Sequence, residues 1–438
     1  MNDIARLSQG LWFNTARTAG SRPANLGSNP NGPTREFVGS EVLEMPFREN
    51  DLDVRNKERK NIGVGIDVTQ LCQCMCPTCF YEKTPGMKDM PFCDYQNIVD
   101  QAASNGFREL YLLGGEPTLH SGILEMLDYA AALSIFNPII LVTNGLKLSD
   151  EAFCRTVAEK GVVVAAQRHA IGDDGEATAV QDTVMGVKGT LPITNKAFEN
   201  IEKYFNPSKV AVQCCITRPV VDSGQIFKVF AYAKEHGFEH VMECTKSTRN
   251  FPRGGAMDLS PKELSDVYKK FQEMDACPEA QEKPLTPQAF RKTCHMPETG
   301  LHVLLNSDVV PCVGQTYKLG NLHTDQLADI LESDKRKFFQ RPETRIIGHC
   351  KDCEYLIDCT GGCRGDAYYI TGCFSASAVQ CPQLYRMAES RQLGMYDFIP
   401  KGCSGCQLEG DPACGIKNEV EATLRTYLQH LFKDEAIL

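Results

Sequence analysis

Two hydrophobic periods alternate along the middle of this chain. Short runs rich in β-branched and aliphatic residues, Asn61–Val68, Glu109–Leu113, Asn137–Thr143, Gly161–Gln167, Val210–Thr217 and His240–Thr245, predict strands. Between them lie stretches with apolar residues at helical spacing, about Asp94–Asn105, Gly122–Leu133, Asp150–Lys160, Asn195–Phe205 and Ser223–His236. Six βα units in succession predict a parallel sheet with helices outside it, because every parallel crossover carries a helix and turns right-handed. Six units are too few to close an eight-stranded barrel, so the expected fold class is α/β, a partial, open (β/α)6 barrel. Sites in such folds form at the C-terminal ends of the strands.

Outside that stretch the periodicity changes. Residues 1–60 show no regular pattern, and Thr18–Arg35 is rich in Gly, Asn, Pro, Ser and Thr, the composition of a loop or arm. After Pro252-Arg-Gly-Gly255 a helix is expected over Pro261–Met274, followed by a cysteine-dense segment and a last amphipathic helix over Lys417–Leu431. The expected domains are an irregular N-terminal extension (1–60), the partial barrel (61–255), a cysteine-rich domain (256–400) and a C-terminal cysteine segment with its helix (401–438).

Composition narrows the class. With 438 residues and 42% hydrophobic content, the chain is long enough for two or three domains with a sizeable core. It contains no run of 18 apolar residues and no secretory pattern at its start, so a cytoplasmic location and no membrane partner are expected. A net charge of −10 without clustered Lys and Arg argues against nucleic acid as a partner. In a reducing compartment, 21 cysteines gathered partly in C-x2-C units read as metal or iron–sulfur ligands rather than as disulfides.

The first group is Cys72-x3-Cys76-x2-Cys79, on the loop that follows the first strand. Three thiolates on a short loop suit three corners of a [4Fe–4S] cube, leaving one iron open to an outside ligand. Cys74 lies within the loop but out of step with that spacing. The second strand ends in Gly114-Gly115-Glu116-Pro117, where two glycines admit a ligand to the backbone and a carboxylate stands ready for an ammonium group; alone, this is an ordinary tight turn. Downstream, Cys350-x2-Cys353-x5-Cys359-x3-Cys363, with Cys381 beyond, suits a second cluster, or tetrahedral zinc. Cys403-x2-Cys406-x7-Cys414 suits a third cluster, zinc, or a loop of free thiols. Cys93, Cys154, Cys214, Cys215 and Cys244 fall on predicted helices or strands and read as buried core residues.

Together, Cys72-x3-Cys76-x2-Cys79, Gly114-Gly115-Glu116-Pro117 and Thr143-Asn144-Gly145 resemble the radical S-adenosylmethionine (SAM) superfamily over about residues 61–245. The resemblance implies a cluster whose open iron is chelated by the amino and carboxylate groups of SAM, with Gly114, Gly115, Glu116 and Asn144 at the cofactor. It also implies reductive cleavage of SAM to a 5′-deoxyadenosyl radical, which takes a hydrogen atom from substrate. Many members carry an aromatic residue just before the last cluster cysteine; Thr78 stands there, with Phe80 and Tyr81 following. At the mouth of the barrel, Gln167-Arg168-His169 leads into Gly172–Glu176. Arg168 is the candidate for the SAM carboxylate and His169 or Asp173 for substrate, against the plainer reading of solvated loop residues.

The later cysteines, with Cys294 and the Asp308-Val-Val-Pro-Cys312 segment, look like the SPASM extension of that superfamily, which holds two auxiliary [4Fe–4S] clusters. Carried over by position, Cys350, Cys353, Cys359 and Cys381 hold one cluster, and Cys294, Cys312 and Cys363 hold the other. The fourth ligand of the latter is open among Cys277, Cys373, a non-cysteine residue or substrate. The sulfatase-maturing branch has an aspartate directly after the cysteine matching Cys312; Val313 stands there and argues against that activity. Three functions remain: radical modification of a ribosomally made peptide, the same chemistry on a small molecule such as a sugar, nucleoside or amino acid, and a non-catalytic iron–sulfur or zinc protein. The first two imply a reducing partner such as flavodoxin or ferredoxin.

Overall fold

A computed structural model describes residues 61–81, 86, 88–245, 256–275, 296–340, 345–353, 356–359, 361–379 and 381. The expected helix over Lys417–Leu431, the segment 1–60, and Cys277, Cys294, Cys403, Cys406 and Cys414 lie outside them.

Six parallel strands build the core: β1 (Gly63–Thr69), β2 (Glu109–Gly114), β3 (Ile139–Thr143), β4 (Val163–Gln167), β5 (Val210–Ile216) and β6 (Glu239–Cys244). The helices between them are α1 (Phe92–Ser104), α2 (Ile123–Ala132), α3 (Glu151–Glu159), α4 (Gly175–Met185), α5 (Thr190–Tyr204), α6 (Arg218–Asp222) and α7 (Gln225–Glu235); α8 (Pro261–Asp275) follows β6. Alternation along each strand sorts the core into two layers. Val64, Ile66, Leu110, Leu112, Leu141, Val164 and Val212 join the large cluster shared with the helices. Tyr111, Leu113, Ile140, Val163, Ala165, Ala211 and Val241 form a second cluster on the opposite, inner face. This is the expected α/β architecture, a parallel sheet whose helices cover its outer side.

The sheet does not stop at six strands. Its order is β6-β5-β4-β3-β2-β1-β7-β8-β9, where β7 (Gly300–Val303), β8 (Asp308–Val310) and β9 (Gly320–Asn321) come from the cysteine-rich segment. β7 pairs in parallel with β1, Gly65 opposite His302, and the rest is an antiparallel meander. The barrel edge at β1 is thus covered by the start of the C-terminal segment. Beyond it lie α9 (Leu327–Glu332), α10 (Asp334–Phe338) and α11 (Arg364–Thr371).

Three expectations change. The polar stretch through Glu176 opens helix α4 at Gly175, with the Asp174 side chain capping it by accepting from the Ala177 amide at 2.7 Å. The helix expected over Ser223–His236 is present as α7, and a short helix the sequence reading did not expect, α6, precedes it, set apart by Gly224 at φ +71°. Cys93 is exposed on the solvent side of α1 and Cys215 is only half-buried on β5, whereas Cys154, Cys214 and Cys244 are buried as expected.

Candidate functional site

The three-cysteine loop leaves β1 at the C-terminal end of the sheet and is held there from two sides. From β2, the Gly115 amide donates to the Thr69 carbonyl at 2.7 Å and the Glu116 amide to the Leu71 carbonyl at 2.6 Å. This approach needs both glycines. A Cβ at Gly114, whose φ is +129°, would sit 2.3 Å from Thr69 O, and one at Gly115 2.4 Å from Leu71 O. From the other side, the C-terminus of α4 grips the loop: the Met75 amide donates to the Met185 carbonyl at 3.0 Å, and the Cys76 thiol lies 3.6 Å from the same oxygen.

Glu116 is the buried hub between these strand ends. One carboxylate oxygen accepts from the Thr118 amide (3.1 Å), the Thr118 hydroxyl (2.6 Å) and the Thr143 hydroxyl (2.6 Å); the other accepts from the Asn144 amide at 2.7 Å. Burial pushes its carboxyl above the usual range, and those donors pull the other way. Four donors on one carboxylate make it a tie between β2 and β3. Asn144 carries the tie to the cysteines, its side-chain amide 3.9 Å from Cys72 Sγ and 3.6 Å from Cys74 Sγ.

Inside the loop, Cys74 is the buried thiol, packed with Leu146, Met185 and Cys76. It bonds to both neighbours, so its own ionisation is pushed well up by Cys72 and then Cys76, while the Cys72 thiol is lowered to about 7, chiefly by the bond from Cys74. Cys76 is lowered by the same partner. Two of the three candidate ligands thus face a donor that favours their thiolates, the form that binds iron.

The mouth residues part company. Arg168 points away from the inner face, between helices: its guanidinium donates to Asn195 Oδ1 at 2.9 Å and lies 4.7 Å from the Phe198 ring centre and 4.4 Å from that of Tyr232. The structure does not bring it to the Gly114–Glu116 turn. Alternation is the reason, since Val163, Ala165 and Gln167 take one face of β4 and Val164, Ala166 and Arg168 the other. His169 is buried, its amide bonded to Gln181 Oε1 at 2.9 Å, and burial lowers its ring to about 4. Asp173 is exposed.

Two polar pairs on the inner face have no counterpart in the sequence reading. Asp67 on β1 meets His302 on β7 at 2.9 Å. Glu109 accepts from the Tyr111 hydroxyl at 2.7 Å, both on β2. An aspartate inside the apolar run Gly63–Thr69 was the available signal; its partner, 235 residues away in sequence, gave none.

In the C-terminal segment, the Cys350 thiol accepts from the Ala378 amide at 3.3 Å and that of Cys363 from the Asp366 amide at 3.5 Å. Cys350 is lowered to about 7: burial raises it, and the His349 ring, the Ala378 amide and the Ser377 hydroxyl more than offset that. Cys353 and Cys359 are half-buried and Cys381 is buried. Cys312 packs toward the inner barrel cluster with Val313 and Phe80. Its strand-end turn also meets the Cys363 turn: a Cβ on Gly365 would lie 2.3 Å from Gln315 Nε2, and the Tyr369 hydroxyl donates to Gly314 O at 3.1 Å. The amides aimed at the sulfurs of Cys350 and Cys363 suit thiolate ligands in chemistry, while among the described residues no three Cys, His, Asp or Glu side chains are gathered as they stand around a common metal position.

Residues 294–354 match the family described as SPASM, an iron–sulfur cluster-binding domain. The mycofactocin maturase MftC of Mycobacterium ulcerans is 26% identical over 327 residues, 70% of this chain and 83% of that protein. The AdoMet-dependent heme synthase of Methanosarcina barkeri is 23% identical over 74% of this chain and 96% of its own length. Among solved structures, anSMEcpe with bound AdoMet and the Cp18Cys peptide superposes with a TM-score of 0.55 at 19% identity, covering 69% of this chain and 89% of that one. SuiB of Streptococcus suis bound to S-adenosylmethionine gives 0.53 at 17%, covering 73% and 76%. Residues 294–354 thus carry the match to the SPASM iron–sulfur domain, and over about 70% of its length the chain is similar to the mycofactocin maturases, with the three-cysteine loop, the Gly-Gly-Glu turn and the SPASM segment on one sheet.

Proposed function

We propose that this protein is a radical SAM enzyme that modifies a ribosomally made peptide. The observation that carries the radical chemistry is the bonded chain Cys72–Asn144–Glu116, which makes the cysteine loop and the Gly-Gly-Glu turn a single unit. In this reading Cys72, Cys76 and Cys79 hold the cluster. The backbone of Gly114 and Gly115 and the side chain of Asn144 line the place of the methionyl group of SAM. The cofactors supply one-electron cleavage of a sulfonium bond; the protein orients SAM, holds the thiolates and encloses the inner face with apolar side chains. Glu116 acts here through the strand ends it ties.

The peptide as substrate is supported by the relatives: a mycofactocin maturase, the subtilosin biosynthesis protein AlbA of Bacillus subtilis, and SuiB, solved with its precursor peptide SuiA. The heme synthase likeness, which spans 96% of that protein, keeps a small-molecule substrate as the second reading. The segment 256–400 is the auxiliary domain, with Cys350, Cys353, Cys359 and Cys381 around one cluster and Cys312, Cys363 and Cys294 around another. Cys403, Cys406 and Cys414 are the place for a third, and a flavodoxin or ferredoxin supplies the electron in the cytoplasm.

The test is anaerobic reconstitution followed by incubation with SAM and dithionite. Formation of 5′-deoxyadenosine that disappears in Cys76→Ala, while part of the iron stays bound, is the expected result. Intact clusters with no 5′-deoxyadenosine would sink the radical reading. Mass spectrometry of reactions with deuterated peptide pools and with metabolite pools decides the substrate: deuterium reaches 5′-deoxyadenosine from the peptides under the first reading and only from the metabolites under the second.

A further inference from the structure

Arg364, the first residue of α11, is buried to 6% exposure. Its guanidinium is spread over backbone carbonyls. Nη1 donates to Phe374 O at 2.9 Å and to Ala376 O at 2.6 Å, Nε donates to Gly362 O at 3.3 Å, and Nη2 donates to Gly361 O. Among the described residues none of these bonds goes to a carboxylate. A buried cation held only by carbonyl dipoles calls for an anion, because the carbonyls alone do not replace the hydration it has lost.

The anions available are sulfur. Cys363 directly precedes Arg364, Cys373 precedes Phe374, whose carbonyl the guanidinium bonds, and Cys359 opens the turn whose Gly361 and Gly362 carbonyls it also bonds. The local packing brings them within reach. Gly361 and Gly362, at φ +74° and +77°, turn the chain between Cys359 and Cys363 tightly enough that Arg364 folds back over it. A Cβ on Gly361 would lie 2.9 Å from the Arg364 Nη2 atom, and one on Gly362 2.9 Å from Ala378, whose amide bonds Cys350. Arg364 therefore laces the Cys359–Cys363 turn to the segment 374–376 with one permanently charged group, since arginine does not lose its proton in proteins.

We infer that Arg364 is the built-in counter-charge of the auxiliary site, set to favour the more negative, reduced state and so to raise that site's reduction potential. This rests on the reading of Cys350, Cys353 and Cys359 as iron ligands. Cluster potentials follow net charge and the hydrogen bonds at sulfur, and a fixed cation in a low-dielectric wall acts on both oxidation states but most on the one with the extra electron. A site poised this way is a better acceptor of an electron than the same thiols without Arg364.

The test uses the full chain carrying Cys72→Ala, Cys76→Ala and Cys79→Ala, so that every signal belongs to the C-terminal sites. Arg364→Gln and Arg364→Lys are reconstituted anaerobically in that background, iron and sulfide are counted, and the midpoint is followed by electron paramagnetic resonance in a potentiometric titration. A midpoint that moves to more negative potential in Arg364→Gln and returns toward the parent value in Arg364→Lys is expected. If Arg364→Gln fails to hold iron, retention of iron by Arg364→Lys supports the same inference. An unmoved midpoint in Arg364→Gln at full iron content overturns it, as does equal behaviour of the Gln and Lys variants, which would mark a lacing role without charge. If the parent with Arg364 intact binds no iron, the auxiliary-cluster reading itself falls, and the inference with it.

Discussion

His302 Nε2 lies 2.9 Å from Asp67 Oδ1, and both side chains are buried. The pair spans the seam between the barrel and the cysteine-rich segment, since Asp67 is on β1 and His302 on β7, the strand that covers the barrel edge. It sits on the inner face, two residues before the end of β1 and five before Cys72.

Replacing one partner strands the other in an apolar setting. His302→Leu is expected to lower the unfolding free energy by roughly 3 kcal/mol or more, and Asp67→Leu by a similar amount. The double variant Asp67→Leu with His302→Leu should lose less than the two single losses added together, because no buried polar group is left alone. Urea titration of the four proteins supplies the cycle; strictly additive losses would refute a direct coupling.

Glu116 gives a sharper prediction because the substitution preserves shape. In Glu116→Gln one oxygen becomes an NH2 group, and whichever side it takes it faces a donor, either the Asn144 amide or the three donors from Thr118 and Thr143. A buried donor set against a donor leaves both unsatisfied, which costs about 1–3 kcal/mol. Denaturation should register that loss, and amide exchange at Asn144 should speed up. Wild-type stability in Glu116→Gln would show that the carboxylate is not the tie between β2 and β3.

The sequence carried the barrel and its loop well, and for a physical reason. Parallel strands buried on both faces are continuous apolar runs, so β1 to β6 announce themselves, and Cys72, Cys76 and Cys79 are legible as one loop because they lie within eight residues directly after β1. Side-chain direction was less legible. Arg168 lies one residue past Gln167, yet that single step turns it from the inner face to the helices, where Phe198 and Tyr232 flank it. Partners far apart along the chain left no local trace at all. Neither the seating of β7 beside β1 nor the grip of Met185 on Met75 follows from any periodicity.

The inner face also predicts a pH effect. Burial pushes the Glu109 carboxyl from 4.5 up to about 7, and the Tyr111 hydroxyl opposes this. With the folded value above the unfolded one, the contribution of Glu109 to stability is fully present below about pH 4.5 and is lost as pH rises through 7. The span corresponds to about 3 kcal/mol at most. Glu109→Gln should flatten the fall in stability between pH 5 and 7.5 seen in the parent protein. An identical slope in both would place the titration elsewhere.

The last prediction separates space from backbone strain at the α4 end of the cysteine loop. Gly186 has φ +67°, and a Cβ there would lie 2.0 Å from Met75 O and 3.1 Å from the Cys76 amide nitrogen. Gly189, three residues on, has φ +77° and nothing within 4 Å of an added Cβ. Both Ala variants carry the left-handed penalty of about 1–2 kcal/mol. Only Gly186→Ala also drives the Met75 backbone away and moves Cys76 off the position that the Met185 carbonyl holds. After reconstitution, Gly186→Ala should lose the iron of one four-iron cluster and its 5′-deoxyadenosine, while Gly189→Ala keeps both at slightly lower stability. Equal iron in the two variants would mean that the loop takes its shape without α4.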